Sequence, residues 1–233
     1  MRDSVDRKYT RTWLQYERQQ PMYDDSINDF YRSIYKIEPV KNIEQEFSDE
    51  FHNWLMGHKL STFTGLSKFP VLHVIQGVTH FIDDLYQRCG DIHPNMNEIL
   101  DECNRLKISV HVDSAWISCI RDIDFNFDHP AIKTFAISLS KSGIGGNRIG
   151  IRYAREEPEG SITLINNFKM NQESLMYVGL KFMQRFGPEY FWKKYEKKYF
   201  KVCEDFQLTP TKAIHIAMDE GKPVGVRAVM RAL

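Results

Sequence analysis

Two short segments of this 233-residue sequence combine side chains that can carry out amine and phosphate chemistry. The first is Val112-Asp113-Ser114-Ala115-Trp116, and the second is Ser138-Leu139-Ser140-Lys141, which is followed by a glycine-rich stretch and Arg148. A lysine amine that has lost its proton is a nucleophile toward carbonyl carbons. Hydroxyls and an arginine are typical ligands of phosphate, and a carboxylate can keep a nearby ring nitrogen protonated. These segments are therefore the strongest candidates for a functional site.

Together the two segments resemble the pyridoxal-phosphate site of the fold-type I enzymes, the aminotransferase superfamily. In that family a strand-end aspartate precedes a serine-flanked lysine and an arginine. The resemblance implies that Lys141 forms an imine with the cofactor aldehyde, and that Asp113 keeps the ring nitrogen protonated so that the ring accepts electrons. It also implies that Ser138, Ser140 and Arg148 bind the cofactor phosphate.

Three further positions resemble cofactor-binding positions of the same family. Gly77, Val78 and Thr79 resemble the family's glycine turn at a helix N-terminus, where unpaired N–H groups receive phosphate. Asn95 resembles the asparagine that touches the pyridine hydroxyl, but here it follows a proline and the family's glycine is missing. Trp116 lies close to where the family often has a tyrosine that hydrogen-bonds the cofactor oxygen; an indole N–H can donate but not accept.

Two arginines late in the sequence resemble the family's arginine that clamps a substrate carboxylate through two hydrogen bonds. They are Arg227 and Arg231, and we expect this role for Arg227. The resemblance as a whole runs from about residue 69 to residue 151, with weaker similarity beyond.

Apolar periodicity predicts the elements that position these residues. Residues 1–68 carry aromatic side chains at mostly helical intervals, which predicts an N-terminal helical layer. Residues 69–165 are expected to form a central α/β cofactor-binding domain. Residues 166–233 are expected to form a C-terminal helical or small domain, with one helix up to Phe186, a break at Gly187-Pro188, and a second helix over 191–206.

Strands and helices alternate in the central segment. Strands are predicted at residues 71–75, 108–112, 135–137 and 148–153, and helices at 79–88 and 96–106. Alternation of this kind predicts an α/β sheet with its functional residues at strand ends. By resemblance, the fold class is a shortened, pyridoxal-phosphate transferase-like (aspartate aminotransferase-like) sheet domain with flanking helices and a small C-terminal segment.

Composition excludes several other classes of protein. The 31 basic residues balance the 31 acidic ones, so nothing supplies the net positive field of a nucleic-acid binder. No apolar run approaches the roughly 20 residues of a membrane span, and no apolar signal stretch is present near residue 1, so a cytoplasmic location is predicted. The eight histidines lack an i, i+4 pair, so no metal site is predicted.

The function implied by the resemblance is that of a pyridoxal-phosphate-dependent aminotransferase acting on an amino acid, as a homodimer with its site at the subunit boundary. Lys141 would serve as general base and acid. Two alternatives stay open. One is a different pyridoxal-phosphate reaction, such as that of a lyase or decarboxylase. The other is a catalytically degenerate relic of the fold, because only 17 residues separate Gly77 from Asn95, where the family usually has further strands and the aromatic residue that stacks on the cofactor.

Overall fold

The computed structural model describes residues 25–34, 40–57, 67–71, 91–144, 149–156, 160–170 and 172–232. The predicted helix at 79–88 lies outside these ranges. Of the predicted strand at 71–75, only Val71 lies within them.

Two helices form the described part of the N-terminal region, α1 (Asp25–Ser33) and α2 (Ile43–Met56). The buried side chains of α2 recur at helical spacing, as in Phe47, Phe51 and Leu55. This face packs against α5 (Glu173–Arg185). A Cβ atom at Gly179 of α5 would meet the Phe47 ring at 2.7 Å, so the absence of a side chain there permits the close approach. The helical prediction is confirmed for these residues.

A four-stranded mixed sheet occupies the centre, in the order β1-β4-β3-β2. Its strands are β1 (Ser67–Val71), β2 (Val110–Asp113), β3 (Ile132–Ser138) and β4 (Gly150–Ala154). The β2 and β3 strands are parallel, whereas β4 is antiparallel to both β1 and β3. Because β2 and β3 run in the same direction, their carboxyl ends, at Asp113 and Ser138, lie at the same edge of the sheet.

The predictions of β2, β3 and β4 hold in position, with shifted ends. Observed β2 begins two residues later than predicted and extends through Asp113, while β3 is longer at both ends than the predicted 135–137. In β3, buried Ile132, Phe135 and Ile137 drive strand formation. Strand β1 lies mostly before the predicted 71–75 and contains Pro70, which the sheet accommodates on an edge strand.

Gly150 permits the close pairing of β3 with β4. It pairs with Ser138, and any Cβ atom at position 150 would collide with the carbonyl oxygen of Ile137. This pairing fixes the end of β3, from which the segment that carries Lys141 continues.

Helix α3 (Met96–Arg105) agrees with the predicted 96–106, with Met96 and Leu100 buried. Helix α4 (Ser161–Asn167) follows β4 and leaves Leu164 exposed. The division of the chain into three units stays a prediction.

The C-terminal region contains α5, α6 (Tyr190–Asp205), a small antiparallel sheet and α7 (Arg227–Ala232). The sheet order is β5 (Thr209–Pro210), β6 (Ile216–Asp219) and β7 (Lys222–Gly225). The two predicted helices and the break between them are confirmed. One buried cluster runs from Ile27 to Met230, so these elements share a core with the central sheet. No helix in the described ranges is long and apolar enough to cross a bilayer.

Candidate active site

Lys141 lies in a short 3₁₀ turn, Ser140–Ser142, directly beyond the end of β3. The turn is held by hydrogen bonds from the Leu139 N–H to the Ile149 carbonyl (3.0 Å) and from the Ser142 N–H to the Leu139 carbonyl (3.0 Å). It ends at Gly143, whose φ of 108° is readily adopted only by glycine. The Lys141 side chain is half-buried.

The two serines before Lys141 interact with each other. The Ser138 hydroxyl is buried, donates to the Ser140 hydroxyl (2.9 Å) and accepts from the Ser140 N–H (3.1 Å). This local network shapes the turn and places both hydroxyls beside Lys141 in the chain.

Asp113 is the last residue of β2 and is half-buried. Its Oδ1 accepts a hydrogen bond from the Ala115 N–H (3.0 Å), and the Ser114 N–H continues the strand pairing to the Ala136 carbonyl (2.8 Å). The carboxylate thus closes a tight turn, which leads into a second 3₁₀ turn, Ile117–Cys119.

Trp116 connects the two segments. Its ring is buried, and the Lys141 Nζ lies 4.3 Å from the ring centroid, in cation–π geometry. Since Asp113 is hydrogen-bonded to the residue before Trp116, the aspartate, the tryptophan and the lysine belong to one corner of the structure. Among the described residues, the Trp116 indole N–H has no hydrogen-bond partner.

The two 3₁₀ turns also bind each other directly. The buried hydroxyls of Ser118 and Ser142 share a hydrogen bond, and the Cys119 thiol donates to the Lys141 carbonyl (3.5 Å). Burial raises the pKa of Cys119 to about 12, which keeps it a protonated thiol at neutral pH. Cys119 therefore contributes to structure in this corner and is not the nucleophile.

His215, which the sequence analysis did not single out, packs against this corner. Its ring stacks on Trp116 with centroids 4.1 Å apart and an interplanar angle of 13°, and the residue is fully buried. Burial, with the positive charges of Lys141 and Arg227, lowers the pKa of His215 to about 3. Its imidazole is consequently neutral at physiological pH.

Arg227 lies at the start of α7 and is 9 % exposed, whereas Arg231 is exposed. The N–H of Val226, the residue before Arg227, donates to the His215 carbonyl (3.0 Å). This hydrogen bond and the charge effect on His215 bring Arg227 to the same corner as Lys141 and Trp116.

Three buried polar atoms without partners in the described part of the chain lie at the Trp116–His215 contact. In the described part of the chain, both His215 ring nitrogens lack a hydrogen-bond partner, as does the Trp116 N–H. Each such buried group lowers stability by about 1–3 kcal/mol, so native structures contain few of them. Three of them lie at this one contact.

The remaining predicted site residues have no described contact with this corner or lie outside the described residues. Asn95 is exposed at the start of α3, where its N–H donates to the His93 Nδ1 (3.1 Å), and its described contacts do not include Lys141 or Trp116. Gly77, Val78, Thr79 and Arg148 lie outside the described residues.

Comparisons with known proteins concern the fold. No family model matches the sequence, and no curated protein matches it. The structure of histidinol-phosphate aminotransferase from Clostridium acetobutylicum superposes with a TM-score of 0.50 and 10% identity, over 85% of this chain and 80% of the other. A PLP-bound protein from Clostridium difficile 630, assigned as an aminotransferase, superposes with a TM-score of 0.50 and 10% identity. The superposition covers 92% of this chain and 82% of the other.

The chain has the aspartate aminotransferase-like fold. The fold class predicted from the sequence is thereby confirmed. Within an aspartate aminotransferase-like fold, functional residues gather at the carboxyl ends of parallel strands, which is where Asp113 and the Lys141 turn are found. The roles of individual residues do not follow from a likeness at 10% identity and stay predictions.

Proposed function

We propose that this protein is a pyridoxal-phosphate-dependent enzyme that transfers the amino group of an amino acid. The observation that carries the proposal is the position of the Lys141 Nζ, 4.3 Å from the Trp116 ring, in the turn directly after β3, whose parallel neighbour β2 ends at Asp113. The fold supports the same cofactor class, because two similar structures are those of proteins described as aminotransferases, one of them PLP-bound.

The residues of this corner fit the cofactor chemically. A lysine amine, a carboxylate and two hydroxyls are supplied by Lys141, Asp113, Ser138 and Ser140, and the unpartnered Trp116 N–H supplies a donor for a ring oxygen. Arg148, outside the described residues, would add a cation for the phosphate. Pyridoxal phosphate, when bound, supplies an aldehyde that holds an amino group and a ring that accepts an electron pair.

The protein's own groups then have separate tasks. Lys141 would hold the cofactor through its amine and, once displaced by the substrate, would accept the substrate's α-proton at Nζ and donate it again. Asp113 would stabilise positive charge on the ring nitrogen. Arg227, buried beside the same corner, would bind the substrate carboxylate. We also propose a homodimer and a cytoplasmic location, from the family resemblance alone.

Absorption spectroscopy tests the proposal at Lys141. Wild type, Lys141→Ala and Lys181→Ala are mixed with pyridoxal phosphate, and their absorption spectra are recorded. Each sample is then reduced with borohydride and digested for mass spectrometry. Lys181 is the matched control, because it is also half-buried and its Nζ lies 5.5 Å from an aromatic ring, that of Tyr177 on α5. We expect a covalent cofactor band and a labelled Lys141 in wild type and Lys181→Ala, and neither in Lys141→Ala. Identical spectra for all three proteins would contradict the proposal.

Product analysis then distinguishes the reaction. The loaded protein is given an amino acid with and without an oxo-acid acceptor. Transamination requires the acceptor for continued turnover, and turnover without it would indicate lyase or decarboxylase chemistry.

A further inference from the structure

His215 is a buried polar residue whose hydrogen-bonding capacity is unused within the protein. It is fully buried, and in the described ranges neither ring nitrogen has a partner. The Trp116 ring on which it stacks carries a third unpartnered nitrogen, its indole N–H. A histidine that served only to fill the core would be expected to satisfy at least one ring nitrogen.

The backbone, and not the imidazole nitrogens, holds the ring in this position. The Ile214 N–H donates to the Cys119 carbonyl (2.9 Å), and the His215 carbonyl accepts from the Val226 N–H (3.0 Å). An isolated bridge between Ile120 and Ala213 adds to this connection. The two ring nitrogens are therefore left for another partner.

The charges around His215 indicate what that partner carries. Lys141 and Arg227 both act on the ring with positive charge. A neutral imidazole presents one N–H donor, whereas the single N–H of Trp116 is assigned to the cofactor. A group that accepts a hydrogen bond from the imidazole N–H and is attracted by the Arg227 cation is an anion, such as a carboxylate.

We propose that His215 is a substrate-binding residue whose ring N–H donates a hydrogen bond to the carboxylate of the amino-acid substrate, beside Arg227. This inference rests on the proposed function and adds to it a specificity residue from the loop before β6. His215 discriminates through a directed hydrogen bond from a neutral ring, while Arg227 contributes charge.

The test compares an amino acid with its own amide, which retains the amine but lacks the carboxylate. The cofactor-loaded protein is titrated spectroscopically with the twenty common amino acids. The one with the strongest response in the wild type is then compared with its amide in wild type, His215→Phe, His215→Gln and His129→Gln. His129 is the control, because it is a buried histidine hydrogen-bonded to Asp101, outside the candidate site.

We expect His215→Phe to reduce the ratio of the affinity for the amino acid to the affinity for its amide about tenfold. This is the contribution of one hydrogen bond to binding. His215→Gln, which keeps an N–H donor, should retain most of the ratio, and His129→Gln should leave it unchanged. The cofactor-free His215→Phe protein should unfold at the same temperature as wild type or a higher one, because a phenyl ring needs no hydrogen bonds. Should the phenyl ring prevent folding, His215→Leu replaces it.

An unchanged ratio in His215→Phe would overturn the inference, as would a wild type that binds the cofactor but responds to no amino acid. A lowered unfolding temperature together with an unchanged ratio would assign His215 to structure alone. Wild type that fails to bind pyridoxal phosphate would instead reject the proposed function, so the two failures are separable.

Discussion

The two sides of the candidate site satisfy their polar groups differently. On the sheet side, residues 113–118 and 138–142, the Asp113 carboxylate accepts from Ala115, and the serine hydroxyls bond to one another. On the C-terminal side, His215 and Arg227, the imidazole is fully buried with no described partner for either nitrogen. The polar groups of the sheet side are thus satisfied within the protein, whereas the ring nitrogens of the C-terminal side and the Trp116 indole N–H are not satisfied within the described residues. Four predictions test this difference.

The largest expected effect is on catalysis, from Asp113→Asn. An asparagine oxygen can still accept from the Ala115 N–H, so the turn should persist, but the negative charge is lost. We expect amino-transfer activity to fall about 10²- to 10³-fold, the range for removing one preorganised electrostatic contact. Steady-state kinetics measure it, with Asp101→Asn on α3 as the control. Equal activities would remove Asp113 from the chemistry.

The next largest effect concerns the close strand pairing on the sheet side. In Gly150→Ala the new Cβ meets the Ile137 carbonyl oxygen, a backbone atom that cannot rotate away. We expect a loss of about 3 kcal/mol in the free energy of unfolding, measured by urea denaturation. In Gly187→Ala nothing lies within 4 Å of the added atom, so its change should stay within about 0.5 kcal/mol. Similar values for both would mean that β3 and β4 readily move apart.

A third prediction uses pH to probe the C-terminal side. The folded pKa of His215, about 3, lies below the unfolded value, so between about pH 6.5 and 3 the unfolded chain binds the extra proton. Stability therefore falls as the pH falls through this window, by about 1.4 kcal/mol per pH unit from this residue. Urea denaturation of wild type and His215→Gln at pH 6.5, 5.5 and 4.5 should give slopes that differ by about one proton. Parallel slopes would show that the ring is accessible to protons.

The smallest effect is expected at the bond between the two 3₁₀ turns. Ser118→Ala or Ser142→Ala leaves the other buried hydroxyl without this partner and should lower stability by about 1–2 kcal/mol. The double variant should lose less than the sum of the two, because no hydroxyl is left unpaired. Additive losses would show that the two hydroxyls act independently.

Local sequence signals were sufficient to predict where strands β2 and β3 end. A short β-prone run ends at Asp113, and another precedes Ser138, and in parallel neighbours such ends meet at one edge. The amphipathic pattern of α3 likewise gave its bounds to within one residue. These features depend on neighbours a few positions apart, which is why the sequence alone reveals them.

His215 could not be found in this way. It stands between Ile214 and Ile216 in an apolar run, and by itself such a histidine is typical of a buried core position. Its importance comes from Trp116, about a hundred positions earlier in the chain, and no local pattern encodes that contact. Stacking on an unpartnered indole is a property of the assembled molecule. The pairing of β1 with β4 likewise joins residues far apart in the chain.

The backbone bonds that join residues 119–121 to residues 212–214 have a consequence for biosynthesis. The later segment leaves the ribosome roughly ninety residues after the earlier one, and closing so long a loop slows the contact. Until then the imidazole of His215 is not stacked on the Trp116 ring. A nascent chain can consequently form its central strands before the candidate site is complete. The site would be completed in one late step, when residues 212–214 pack against residues 119–121.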